Sequence, residues 1–210
     1  MNSTSSFIYN ILEWITRFAY LNFLWIVFSL LGAVVFGFFP STLAMFAVSR
    51  DWLRGNTGRP VFQSFWKYYR RDFVKSNLLG LFITLIAGFI AVDLFYIQAS
   101  SADLSWTYIP LFAFMFLFVM YLFYLFPTFV HYDLKVGQII KNAFLIMLIN
   151  PINSFIIFLC LGSIAVIMQA VPALAVIFGG SIYAFITTWI ALRAFNRVDG
   201  KNDLTETEEI

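Results

Sequence analysis

Five long apolar stretches constrain this chain more than any other feature, because each is close to the roughly 20 residues with which a helix crosses about 30 Å of hydrocarbon. They run from Phe18 to Phe39, Leu78 to Gln98, Tyr108 to Phe129, Ile152 to Val171 and Ala173 to Leu192. None carries Lys or Arg in its interior, and 61% of the whole chain is hydrophobic. The sequence therefore predicts an all-α, polytopic membrane helix bundle with about five transmembrane helices.

The distribution of Lys and Arg predicts the orientation of these spans, since cytoplasmic loops retain positive charge. Twelve of the 13 basic residues lie in the first and third connections and at the chain's end, namely Arg50, Arg54, Arg59, Lys67, Arg70, Arg71, Lys75, Lys135, Lys141, Arg193, Arg197 and Lys201. We expect these segments to be cytoplasmic. Arg17 then lies alone on the other side, and parity puts the N-terminus outside.

Residues 59–77, RPVFQSFWKYYRRDFVKSN, combine five basic residues with six aromatic ones. Their periodicity predicts an amphipathic cytoplasmic helix over residues 61–75, with a buried aromatic face and exposed cations. The candidate contact residues are Phe62, Phe65, Trp66, Lys67, Tyr69, Arg70, Arg71 and Phe73. Such a helix can bind anionic lipid headgroups at the bilayer surface or dock a partner. Nucleic acid is disfavoured, because the membrane or the bundle would bury the aromatics needed for base stacking.

Two further helices are expected around the first span. Phe7, Ile8, Ile11, Leu12 and Ile15 form one apolar stripe, which predicts an N-terminal helix running into the span or lying against it. After the span, Pro40 is expected to break or kink the helix, and Gly55 to cap a short helix from about Ser41 to Arg54.

A weak internal duplication is also expected. GFFPSTLAMF near the end of the first stretch resembles YLFPTFVHYD near the end of the third, and each precedes a short helix that leads to an Asn and the next span. The chain is otherwise one integral membrane domain at residues 1–197, followed by an acidic, disordered cytoplasmic tail at 198–210.

The polar residues near the spans favour structural roles. Asp93 should approach the outer interface as a solvated residue, and Asn22, Asn153 and Gln169 should make interhelical hydrogen bonds rather than bind ligands. An ion or sugar contact at Asp93 is the alternative.

Few residues in this sequence are candidates for catalysis or for binding a metal ion. His131 and Asp133 end the third stretch, where an interfacial anchor is favoured over proton transfer because their i, i+2 spacing separates them on a helix. Cys160 is expected to be a small packing residue. With one His and one Cys, the chain cannot form a zinc site by itself. We expect no cofactor and no enzymatic activity.

The stretch EWITRFAYLNFLWIVFSLLGAVVFGFFPSTLAMFAVSRDWLRG, followed by FWKYYRRDFVKSNLLG, resembles the YesL-like family of bacterial integral membrane proteins. The resemblance covers nearly the whole chain up to Arg197. It implies a protein of the bacterial cytoplasmic (inner) membrane, encoded near genes for polysaccharide degradation and sugar import by ABC transporters. It implies no activity and no active-site residues.

Two function classes follow from these observations. The first is a non-catalytic accessory or scaffold protein of carbohydrate uptake or utilisation, with sugar ABC importer subunits as partners. The second is a small transporter or channel for a neutral solute, working as a homo-oligomer or alone. The absence of charges in the middle of the spans disfavours the second class.

Overall fold

The computed structural model describes the backbone of residues 3–99 and 105–208 and the side chains of residues 7–99 and 106–197. Within them the chain forms eight α-helices and one short 3₁₀ turn, at Ser105–Thr107. The helices are α1 (Ser3–Leu31), α2 (Phe38–Leu53), α3 (Val61–Arg71), α4 (Phe73–Ala99), α5 (Tyr108–His131), α6 (Val136–Ile149), α7 (Pro151–Ala170) and α8 (Pro172–Glu208). The predicted all-α membrane bundle is confirmed.

Five of these helices are long and apolar enough to cross a membrane, over Phe7–Leu31, Phe73–Ala99, Tyr108–His131, Pro151–Ala170 and Pro172–Arg197. The last four agree closely with the predicted stretches. Phe89, Phe95 and Ile109 are among their many exposed apolar side chains, as expected of helices that face lipid.

The predicted bounds of the first span, Phe18 to Phe39, are wrong. Helix α1 ends at Leu31, and a six-residue turn follows in which Ala33 and Val34 adopt positive φ of 55° and 63°. The backbones of Gly32 and Gly37 touch across this turn, so no side chain fits between them. Pro40 does not kink a span but lies in the first turn of α2, where proline is tolerated.

Helices α1 and α2 form an antiparallel hairpin. Near the turn, the indole nitrogen of Trp25 donates a hydrogen bond to the Thr42 hydroxyl at 3.0 Å. At the far end the ring of Trp52 packs edge-on against Trp14 and Phe18, at 5.6 Å from each. The end of α2 therefore lies at the same end of the bundle as Trp14 of α1.

Helix α2 forms the centre of the bundle, although we expected a short helix in a membrane-side loop. An unbroken run from Pro40 to Ser49 is buried, and α2 packs against α1, α3, α4, α5 and α8. Its predicted cap is confirmed: Gly55 has φ +85°, and the amides of Gly55 and Asn56 close the helix end onto the carbonyls of Trp52 and Asp51 at 3.0 and 2.9 Å.

A short helix followed directly by a long one occurs twice, as α3 with α4 and as α6 with α7. The two Pro-(Ser/Thr) steps differ, because Pro40 lies in the first turn of α2 whereas Pro127 lies inside α5. The internal duplication stays a prediction.

Helix α8 packs along α7, α2 and α1, and its backbone remains helical to Glu208. The side chains after Arg197 lie outside the described residues, and the disorder expected for the tail stays a prediction. The separation of residues 198–210 from the membrane domain stays a prediction.

Candidate functional site

The candidate surface helix of the first connection is shorter than predicted. Helix α3 ends at Arg71, and Asp72 separates it from α4, which begins at Phe73. The carbonyl of Asp72 accepts the hydrogen bond of the Ser76 amide at 2.8 Å, so Asp72 sits at the start of α4, a position that aspartate favours. Phe73 and Lys75 thus belong to α4, and the predicted single helix over residues 61–75 is wrong.

The aromatic residues of α3 divide into a buried and an exposed set. Phe65 is fully buried and Tyr69 nearly so, and both contact the ring of Phe28 on α1, at centroid distances of 5.3 and 5.1 Å. Phe62 and Trp66 touch the same ring but remain 45% and 42% exposed. The inner aromatics hold α3 to the bundle, and the outer pair leaves an apolar strip at its edge.

A partly buried hydrogen bond fixes α3 against α2. The hydroxyl of Tyr68 donates to the carboxylate of Asp51 at 2.6 Å, and Arg50 contacts the same side chain at 3.3 Å. Burial, reinforced by the Asp51 carboxylate, raises the pKa of Tyr68, so the hydroxyl remains a donor at neutral pH. Sequence reasoning missed both Tyr68 and Asp51, although an aspartate among so many cations was an available signal.

The cations of α3 are exposed at the surface of the helix. Lys67, Arg70 and Arg71 are exposed, and the guanidinium of Arg71 lies 5.0 Å from the centre of the Tyr68 ring. Together with Phe62 and Trp66 they form a surface of three cations and two aromatics, hereafter the α3 outer face. The fold presents this face on a rigidly packed helix, while its role in binding lipid or a partner stays a prediction.

The predicted position of Arg17, opposite the basic connections, is wrong. Its guanidinium donates a hydrogen bond of 2.9 Å to the carbonyl of Thr57, in the connection between α2 and α3, and also pairs with Glu13 at 2.6 Å. Arg17 and the first connection therefore lie at the same end of the bundle. The prediction that the N-terminus lies outside assumed that Arg17 and the basic connections are on opposite sides of the membrane.

His131 and Asp133 have separate partners. A ring nitrogen of His131 lies 3.3 Å from the guanidinium of Arg54, and its ring packs on Phe195 at 4.6 Å. Asp133 is exposed and pairs with Lys75 at 3.3 Å. These contacts join the ends of α2, α4, α5 and α8, and the expected role as an anchor at the membrane interface stays a prediction.

Asn22 makes the interhelical hydrogen bonds predicted for it. Its amide nitrogen donates to the carbonyl of Val176 at 2.7 Å, and its oxygen accepts from the amide of Ser181 at 3.2 Å. Gly180 lies between these two groups, and a Cβ there would come within 2.9 Å of the Asn22 oxygen. This buried clamp joins α1 to the backbone of α8.

The remaining polar candidates are dispersed. Asp93 is exposed and borders a groove between α4 and the start of α5, whereas Gln169 is exposed near the end of α7. Asn153 is half-buried on α7, and Cys160 is a free thiol packed against the core. Among the described residues, no group of three His, Cys, Asp or Glu side chains could hold a metal ion.

Comparison with known proteins places this architecture in a family. The family model for a protein of unknown function, DUF624, matches residues 18–94, from α1 into α4. The uncharacterized protein YesL of Bacillus subtilis is 32% identical over 192 residues, which cover 90% of each chain. The chain belongs to the YesL-like family.

Other YesL-like proteins of the same bacterium match as well. The uncharacterized protein YesV is 32% identical over 192 residues, or 90% of this chain and 92% of YesV. The uncharacterized protein YteU is 46% identical over 134 residues, or 64% of this chain and 60% of YteU. No solved structure matches this chain.

Proposed function

We propose that this YesL-like protein is a non-catalytic accessory protein of the bacterial cytoplasmic membrane, which presents the α3 outer face to a partner in carbohydrate uptake. The observation that carries the proposal is the buried attachment of α3. Phe65, Tyr68 and Tyr69 fix one side of the helix, so the exposed cations keep constant relative positions. A preformed surface of this kind loses less conformational entropy on binding than a flexible loop does.

The composition of the α3 outer face supports a protein partner. Aromatic residues and arginine are enriched where proteins bind one another, and this face combines Trp66 and Phe62 with Arg70, Arg71 and Lys67. An acidic cytoplasmic surface of a membrane-bound partner would complement it in charge. On the basis of the family resemblance, we propose subunits of a sugar ABC importer as that partner.

The larger cavities of the described residues favour the accessory role over solute transport. Grooves of about 590 and 470 Å³ are lined chiefly by apolar side chains, between α1 and α8 and between α4, α5 and α6 respectively. Such grooves suit lipid chains better than a hydrated sugar, whose hydroxyls need hydrogen-bonding partners.

Co-purification in a mild detergent tests this proposal. The wild-type protein should retain importer subunits, identified by peptide mass spectrometry, and the K67Q/R70Q variant should lose them while keeping its own folded yield. Retention of the same subunits by K67Q/R70Q would refute the role of the face. A protein that purifies without importer subunits and conducts sugar into liposomes would be a transporter.

A further inference from the structure

A small polar cavity lies beside α3, at the basic end of the bundle. It measures about 100 Å³ and is enclosed by the end of α2, the α3–α4 junction, the end of α5 and the start of α6. Arg50, Arg71 and Lys75 line it together with Asp72, Asp133 and the segment from Phe129 to Leu134. Lys67 and Arg70 do not line it, so it is separate from most of the α3 outer face.

Arg50 is the unusual member of this lining. Its side chain is only 13% exposed and contacts one carboxylate oxygen, that of Asp51, at 3.3 Å. Its Nε is buried and has no hydrogen-bonding partner within the described part of the chain. A buried, unsatisfied N–H of a charged group is costly, so native structures usually supply an acceptor for it.

The two carboxylates of the cavity are already neutralised by their neighbours. Asp72 accepts three hydrogen bonds from Arg71, at 2.6 to 3.0 Å, and Asp133 pairs with Lys75 at 3.3 Å. Among the residues that line the cavity, three cations face two carboxylates. The carboxylate of Asp51, which Arg50 contacts, lies outside the lining and also accepts the Tyr68 hydrogen bond. The Lys75–Asp133 pair is exposed and so contributes little stability, which lets the ammonium turn to another acceptor.

We propose that this cavity binds a phosphate group through Arg50, Arg71 and Lys75. A phosphate supplies several strong acceptor oxygens for guanidinium and ammonium donors, including the unpartnered Nε of Arg50, and its negative charge suits a lining with more cations than carboxylates. The cavity has room for one such group and lies at the end of the bundle that carries the cations, where the headgroups of a cytoplasmic leaflet are found. The phosphate can belong to an anionic lipid or to a small soluble compound.

Two probes distinguish these sources, both applied to the full chain in a neutral maltoside detergent. Phosphatidylglycerol, with phosphatidylcholine as its control, is counted as bound lipid by native mass spectrometry. Inorganic phosphate, with chloride at equal ionic strength as its control, is followed by the thermal unfolding temperature. Specific retention of phosphatidylglycerol indicates a lipid headgroup, and stabilisation by inorganic phosphate indicates a soluble compound.

The variants R71Q and K75Q change exposed residues that line the cavity, and K67Q/R70Q is the matched control on the neighbouring surface. We expect R71Q and K75Q each to weaken binding of the effective probe about tenfold, the loss expected for one charge-assisted hydrogen bond. K67Q/R70Q should bind as the wild type does. The proposal is overturned if neither probe binds specifically, or if the control variant loses binding as much as R71Q and K75Q do. The K67Q/R70Q variant tests partner binding by the α3 outer face, whereas R71Q and K75Q test phosphate binding in the cavity. Either proposal can therefore fail without the other.

Discussion

The guanidinium of Arg17 on α1 donates a 2.9 Å hydrogen bond to the carbonyl of Thr57, 40 residues further along the chain. Because α1 and α2 form an antiparallel hairpin between these two residues, the chain enters and leaves the hairpin at the same end of the bundle. The 14 residues from Ser3 to Thr16 would extend about 21 Å as a helix, less than the thickness of the hydrocarbon core. We therefore expect Ser3 to lie on the same side of the membrane as Arg17 and the first connection.

Cysteine labelling in intact cells tests this topology. In a C160A background, a cysteine at Asn2 or at Gly58 should react only after the cytoplasmic side is made accessible, and one at Ser101 should react from outside. Gly58 suits the substitution because a Cβ there meets no atom within 4 Å. Labelling of Asn2 from outside would restore the original five-span orientation, and labelling of Gly58 and Ser101 from one face would exclude both arrangements.

The two faces of α3 should respond differently to substitution. Phe65 is fully buried, so F65A should lower the stability by about 3 to 5 kcal/mol, the usual cost of truncating a core phenylalanine. W66A, at a site that is 42% exposed, should cost less. K67Q/R70Q should leave stability within about 0.5 kcal/mol of the wild type, because surface substitutions rarely do more.

Thermal unfolding followed by size-exclusion fluorescence measures these differences in detergent. The expected order of stability is wild type, then K67Q/R70Q, then W66A, with F65A lowest. If K67Q/R70Q unfolds earlier than F65A, the cations take part in the core and the assignment of the two faces is reversed.

The Asn22 clamp predicts a specific pattern among glycine substitutions in α8. G180A would place a Cβ 2.9 Å from the Asn22 oxygen and 3.3 Å from the Met45 methyl, which forces a shift costing about 1 to 3 kcal/mol. G179A meets only the Met168 sulfur, at 4.0 Å, and should be neutral or slightly stabilising.

A double-mutant cycle between N22A and G180A tests the contact itself. N22A alone should cost about 0.6 kcal/mol, the average for hydrogen bonds between membrane helices, and at most about 1.7 kcal/mol. Since N22A removes the oxygen that a Cβ would strike, the double variant should lose less stability than the two single changes added together. Strict additivity would show that Asn22 does not restrict Gly180.

Sequence reasoning predicted four of the five long helices because uninterrupted apolar runs of about 20 residues define them. It missed the end of α1 because the turn at residues 32–37 is itself apolar, and hydropathy does not distinguish a turn from a helix within an apolar segment. For the same reason α2 was assigned to a loop. The hydroxyl residues Ser41, Thr42 and Ser49 of α2 suggest a solvent-exposed surface. Small hydroxyl side chains, however, also let helices pack closely in a membrane bundle.

The candidate site was predictable only in part. Periodicity identifies the aromatic stripe of α3, but bilayer and protein accept aromatic side chains equally well, so the sequence cannot separate Phe65 from Trp66. The cavity around Arg50 was not predictable, because it joins residues of α2, α3, α4, α5 and α6 that are far apart in the chain.

Site-specific photo-crosslinking in native membranes tests the central claim most directly. A photoreactive residue at Gln63 or Lys67, both exposed on α3, should crosslink to a sugar importer subunit that peptide mass spectrometry identifies. The same residue at Leu85, exposed on α4, should yield lipid adducts instead. Lipid adducts alone at Gln63 and Lys67, or an importer adduct of equal yield at Leu85, would contradict the proposal that α3 presents a partner-binding face.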